Sequence, residues 1–224
     1  MKRIPVLFEN EFYLVLDKPA GLAVQGGEGV GVSLDSILSK SYSFRPLLVH
    51  RLDRDTSGLV LAAKNREAAA VLSSVFREKH EGITKQYLAV TSGIPNPPKG
   101  IILLDLEIRG TKKKSTTSYR LLGSGFFPGF SFSCLELELG TGRMHQIRRH
   151  LKFIECPVLG DDKYGDFSLN RELKKTVGLK RLLLHAARLK IPPLSVFPGG
   201  LDISSPLPES FLPFFEKAGA ELQL

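Results

Sequence analysis

The sequence is poor in cysteine: Cys134 and Cys156 are its only two, and neither lies in a CxxC or beside a histidine cluster. A disulfide framework and a zinc site are therefore not encoded. No apolar run reaches the roughly 18 residues that a membrane-spanning helix needs. The opening stretch, MKRIPVLFENEF, puts a proline and early acids where a signal peptide carries its apolar segment. A cytoplasmic chain is expected. Low-complexity disorder is excluded as well, because hydrophobic residues make up 42% and charged ones 24%, close to an ordinary globular protein. Acidic residues are in deficit, with 23 against 31 lysines and arginines, which leaves a net charge of +8. Such a surface suits a polyanion, nucleic acid ahead of membrane.

What is there reads as one catalytic-sized unit of alternating strand and helix signals. FYLVL, between Glu11 and Asp17, predicts a strand closed by the turn Lys18-Pro19-Ala20-Gly21. Glycines at 26, 27, 29 and 31 suggest a phosphate cradle, but no Gly-Lys-Ser/Thr follows, so Gln25 to Ser33 is read as a loop. GLVLAA (58–63) predicts a buried strand. Asn65 then caps a helix to about His80, with Ala68, Val71, Leu72, Val75 and Phe76 on its inner face and Gly82 as its stop. Four β-type segments follow, ITKQYLAV, IILLDLEI, TTSYRLL and FSCLELEL, in a meander-like block. Thr141 is placed to cap the basic helix GRMHQIRRHLKFI. Beyond Pro157 a loop containing GDDKYGD leads to the strand LLLHAARLKI and a closing helix from Ser210 to Lys217. The class expected is α+β, with a mixed, largely antiparallel central sheet flanked by helices.

Two clusters look chemical. His50-Arg51-Leu52-Asp53-Arg54-Asp55-Thr56-Ser57-Gly58 stands directly before the buried strand. It reads as a solvated turn in which Asp55 and Thr56 satisfy local backbone donors, or as a carboxylate, Asp53, kept ionised by a nearby guanidinium and ready to act as nucleophile or base. The second cluster, Thr141 to His150, lies at a predicted helix start, where anions are favoured. His145 and His150 are five apart with no HExxH between them, which removes a zinc-protease reading.

HRLDRDTSGLVLAAK, with KPAG (18–21), KQY (85–87), TGRMHQIRRH (141–150) and GDDKYG (160–165), resembles the RluA-type pseudouridine synthases over most of the chain. HRLDxxTSG and GRxHQIRxH in this order and at this distance are the specific pair. The resemblance implies isomerisation of uridine in RNA to pseudouridine, with no cofactor and no metal. It implies Asp53 as the essential acid, Arg148 as its pairing arginine and Tyr87 as the ring that stacks on uracil and helps move a proton. Leu184 becomes an apolar wall against the base. Arg51 becomes the cation that fills the place of an extruded uridine. His50, Thr56, Arg143, His145 and Gln146 fall on the substrate side. Lys112, Lys113, Lys114, Arg149, Lys152 and Lys163 become candidates for phosphate contact, the lysine run foremost. Many relatives carry a small RNA-binding domain ahead of the catalytic one. Here the first strand begins within about a dozen residues of Met1, so a single catalytic domain over 1–224, working as a monomer on ribosomal or transfer RNA, is expected.

Two other classes remain open at this point. A non-catalytic RNA-binding protein on the same scaffold would carry a broken site, yet Asp53, Tyr87 and Arg148 are all present. A carboxylate glycosidase would need a second acid, for which Asp55 is the near neighbour, and would leave the basic surface unexplained.

Overall fold

The structure, a computed structural model, describes residues 4–27, 31–77, 82–108, 110–196 and 198–222. Along the chain run β1 (Val6–Glu9), β2 (Tyr13–Lys18), α1 (Leu34–Ser41), β3 (Leu47–Leu48), β4 (Ser57–Ala63), α2 (Arg66–Arg77) and β5 (Thr84–Ser92). There follow β6 (Lys99–Leu103), β7 (Leu106–Ile108), β8 (Thr111–Lys113), β9 (Thr116–Phe127), β10 (Phe130–Leu139), α3 (Gln146–Phe153) and α4 (Phe167–Thr176). The chain closes with β11 (Leu184–Ile191), β12 (Leu201–Ser204), a 3-10 turn (Glu209–Phe211) and α5 (Leu212–Ala218). Every strand pairing whose register is described is antiparallel, and the α+β class is as expected. Two compact units result: Met1–Thr84 with Ala186–Ser205, and Lys85–His185 with Pro206–Leu224. No helix among the described residues is long and apolar enough to cross a membrane.

In the first unit β4 is the keystone, because all seven of its residues are buried. β2 and β3 both pair with it. Strand alternation sends Leu59, Leu61 and Ala63 to one face, where they meet Ala68, Leu72 and Val75 of α2 in a single cluster with Tyr13, Val15, Leu189 and Ile191. Each large side chain so buried contributes roughly 1.5–3 kcal/mol. Asn65 caps α2 as its sequence suggests, its Oδ1 accepting from the Ala68 N–H at 2.8 Å. The last residues of the predicted helix, 78–80, and Gly29 of the glycine-rich loop lie outside the described residues. α1 has no counterpart in the sequence reading. It starts just past the glycine-rich segment on a reciprocal Ser33/Ser36 capping box.

The second unit departs from a plain meander. Its strands lie in the order β5-β10-β9-β6, so the chain leaves β5 for the far edge and returns through β9 and β10. IILLDLEI is two strands rather than one: Leu104 and Asp105 break it, and β7 turns away to pair with β8. Two residues of the lysine run, Lys112 and Lys113, belong to β8. Thr141 does not cap α3. Its hydroxyl donates to Gln146 Oε1 at 2.6 Å and accepts from the Thr116 N–H, and the helix begins four residues later than its first predicted residue, behind His145. α4 is an unanticipated helix, capped by Asp166, whose carboxylate takes the Ser168 and Leu169 N–H groups. α5 packs on β9 and β10, where Phe127, Phe132 and Phe214 meet ring to ring.

Gly58 opens β4 at φ +110°, and a Cβ there would lie 2.2 Å from the Ala186 carbonyl oxygen. Gly58→Ala should cost about 3 kcal/mol or more in urea unfolding. Gly27→Ala, whose Cβ would meet nothing within 4 Å, should stay within about 0.5 kcal/mol of wild type.

Candidate functional site

The turn bearing Asp53 is fixed from both sides. Val49 donates to the Leu61 carbonyl, and His50 Nε2 accepts the Leu61 N–H at 3.0 Å while its ring stacks on Phe76 at 4.3 Å. Past the turn the chain enters β4 through Thr56 and Ser57, both buried. The tip is gripped by Lys18, the last residue of β2 and fully buried. Its ammonium donates to the carbonyls of Pro19 (3.0 Å), Leu22 (2.8 Å) and Arg54 (3.0 Å). Arg54 Nε returns a bond to the Gly21 carbonyl at 3.1 Å, so the KPAG turn and the aspartate turn hold each other. Asp53 sits half-buried between these ties, and Arg51 is exposed. His50, assigned to the substrate side by resemblance, has its ring engaged in this brace.

In the second unit Tyr87 lies half-buried on β5, in register with Leu137 of β10. Lys85 precedes it by two residues and so shares its face. Burial pushes the Lys85 amine below the usual lysine range. Leu184 is buried at the start of β11.

Arg148 is buried in the first turns of α3, with 4% of its side chain exposed. Its Nε and Nη2 grip the two oxygens of Asp161 at 2.7 Å each, a bidentate pair, and Nη2 also reaches Asp162 at 3.4 Å. Asp161 Oδ1 accepts the N–H groups of Lys163 and Tyr164 as well, both at 2.9 Å. Burial alone would raise the Asp161 pKa. The Arg148 guanidinium and the two backbone donors outweigh it and hold the carboxyl below the usual range. The guanidinium also lies 5.2 Å from the centre of the Tyr164 ring, whose hydroxyl meets His145 Nδ1 at 3.0 Å. His145 itself adopts φ +53°, a left-handed conformation uncommon away from glycine and held here by its neighbours. Asp161 and Tyr164, the partners that the structure gives Arg148, are not singled out by the sequence reading; both stand in GDDKYG, of whose side chains only Lys163 is given a role.

Gln146, expected on the substrate side, ties the start of α3 to the sheet. Its Oε1 accepts from Thr141 Oγ1 and the Arg143 N–H, and its Nε2 donates to the Thr116 carbonyl and Thr117 Oγ1. All four hydrogen-bonding positions of the amide are met within the protein. Arg143, Lys112, Lys113, Lys114, Lys152 and Lys163 are exposed, with Lys163 over the Tyr164 ring at 5.6 Å. Arg149 Nη1 donates to the Glu107 carbonyl at 3.2 Å. Among the described residues no three His, Cys, Asp or Glu side chains are grouped as metal ligands would be.

Residues 12–153 match the family model described as RNA pseudouridylate synthase. The chain is 36% identical over 222 residues to the ribosomal large subunit pseudouridine synthase C of Rickettsia bellii (strain RML369-C), covering 92% of this chain and 69% of that protein. Against the protein of that name from Escherichia coli (strain K12) it is 37% identical over 204 residues, 83% of this chain and 61% of the relative. Among solved structures, human RNA pseudouridylate synthase domain containing 4 superposes with a TM-score of 0.79 at 26% identity, over 97% of this chain and 94% of that one.

Arg148→Ala and Asp161→Asn should each destabilise the protein by about 3–5 kcal/mol, since each strands a buried charge or leaves it half-paired. Because the folded Asp161 pKa lies below its unfolded value, its contribution is complete above that value and is lost as pH falls below about 4. Urea titrations from pH 7 to 3 should show this loss in the wild type and a flatter profile in Asp161→Asn.

Proposed function

The chain belongs to the RNA pseudouridylate synthase family, and from that premise we propose that it isomerises a uridine of large-subunit ribosomal RNA, with Asp53 as the essential carboxylate. The observation that carries the assignment is the doubly tied turn: the Lys18 ammonium donates to the Arg54 carbonyl and Arg54 Nε donates to the Gly21 carbonyl, and an acid so fixed costs little reorganisation when it acts. The ribosomal substrate follows from the names of the curated relatives and suits the +8 net charge. The protein works in the cytoplasm, which suits the ribosomal RNA named for its relatives.

The chemistry sets what each group must do. The N1–C1′ glycosidic bond breaks, the uracil turns over, a C5–C1′ bond forms, and the C5 proton leaves as N1 regains one. Atoms and electrons balance without oxidant, metal or water, so no cofactor is required. As the base departs, the sugar becomes cationic, and ionised Asp53 stabilises or captures it. Tyr87 stacks on the uracil and its hydroxyl helps carry the C5 proton. Arg148 keeps a carboxylate ionised, and Leu184 gives the base an apolar wall. Arg51 fills the space an extruded uridine leaves, and Thr56, Arg143 and His145 line the approach. Lys112, Lys113 and Lys114, with Arg149, Lys152 and Lys163, neutralise phosphates.

RNA labelled with tritium at uridine C5 separates the readings: released tritium marks isomerisation, free uracil marks a glycosidase, and neither marks a binding protein. Asp53→Asn should abolish release while leaving RNA affinity within a few fold; retained turnover removes Asp53 from the chemistry. EDTA should leave the wild-type rate unchanged, and a rate lost to chelation and restored by metal would overturn the cofactor-free scheme.

A further inference from the structure

β7 and β8, three residues each, pair as a hairpin apart from the large sheet, with Lys112, Lys113 and Lys114 exposed on its second strand and exit. Two strands that short do not hold an orientation alone. The base of the hairpin is closed by Leu104 and Ser115: the Leu104 N–H donates to the Ser115 carbonyl at 3.3 Å, and the Ser115 hydroxyl donates back to the Leu104 carbonyl. His150, fully buried on α3, meets Ser115 Oγ with Nε2 at 2.9 Å. The serine has one proton, committed to Leu104, so His150 must be the donor. That fixes the neutral Nε2–H tautomer and leaves buried Nδ1 without a partner. Burial first, with the Leu104 carbonyl opposing it and Arg149 adding to it, lowers the His150 pKa to about 4, so the ring is neutral at neutral pH.

The same helix face holds the neighbouring chain. Gln146, four residues before His150, bonds Thr116 and Thr117, and Arg149 bonds Glu107 on the other strand of the hairpin. The first strand of the hairpin, and the chain that leaves its second strand at Ser115 to Thr117, are thus moored to the helix that carries Arg148. We propose that His150 is a positioning residue, which through Ser115 holds the lysine hairpin in one frame with α3 so that phosphate capture and the reacting uridine stay in register. This rests on the reading of Lys112 to Lys114 as RNA contacts.

The test measures tritium release and RNA binding at several salt concentrations, on a large-subunit ribosomal RNA transcript that the wild-type protein modifies. His150→Leu and Ser115→Ala should each raise KM about tenfold with kcat within twofold, and flatten the plot of log affinity against log salt by roughly 2, as expected when three cations disengage. His150→Gln, whose amide nitrogen can replace the Nε2 donor, should restore both. A variant that merely loosened the fold would lower the active fraction and leave the salt slope alone. An unchanged KM and slope, or a fall in kcat alone, overturns the proposal. The triple variant Lys112→Ala, Lys113→Ala, Lys114→Ala separates the two ideas. If it leaves the slope unchanged, the lysines do not meet RNA and the proposal falls with them. If it flattens the slope and the His150 and Ser115 variants do not, the positioning role alone fails. Should His150→Leu not fold, Ser115→Ala decides.

Discussion

A guanidinium buried against a carboxylate governs the second unit. Arg148 and Asp161 are joined by two 2.7 Å bonds with almost no access to water, a placement that is expensive unless every remaining proton and lone pair finds a partner. The surrounding chain is organised to supply them. The backbone of Lys163 and Tyr164 turns its N–H groups onto Asp161, Asn170 of α4 takes the Asp161 carbonyl, and Gly165 leaves room for that carbonyl where a Cβ would sit at 2.5 Å. One ion pair therefore dictates a loop, the start of a helix and a glycine.

The first unit solves a similar problem with different chemistry. Lys18 is as buried as Arg148, but its contacts include three backbone carbonyls that would otherwise need water inside a turn. A compact ammonium suits three converging oxygens, whereas a planar fork suits a carboxylate. In both units a cation is used to shape backbone, and in the first the residue proposed for chemistry, Asp53, rides on the backbone so shaped.

Much of this was legible in the sequence where one local rule acted alone. GLVLAA could only be a buried strand, Asn65 had no competitor as a cap, and the ordered pair of motifs carried the family. The rest depended on tertiary partners. Thr141 has the chemistry of a cap, yet Gln146 and Thr116 claim its hydroxyl first. IILLDLEI has uniform strand character, and what divides it is the pairing of β7 with β8. Asp161 looks like any loop acid until Arg148, thirteen residues earlier, folds against it.

Lys18 and the lysine run stand at opposite extremes of exposure. The amine of Lys18 is sealed beneath its own turn, while Lys112, Lys113 and Lys114 stand open to solvent. An acylating reagent, or a cellular acetyl donor, would reach the second group and spare the first. Acylation would thus lower the charge of the hairpin while the scaffold around Asp53 stayed intact, and the protein would remain folded with a less positive surface.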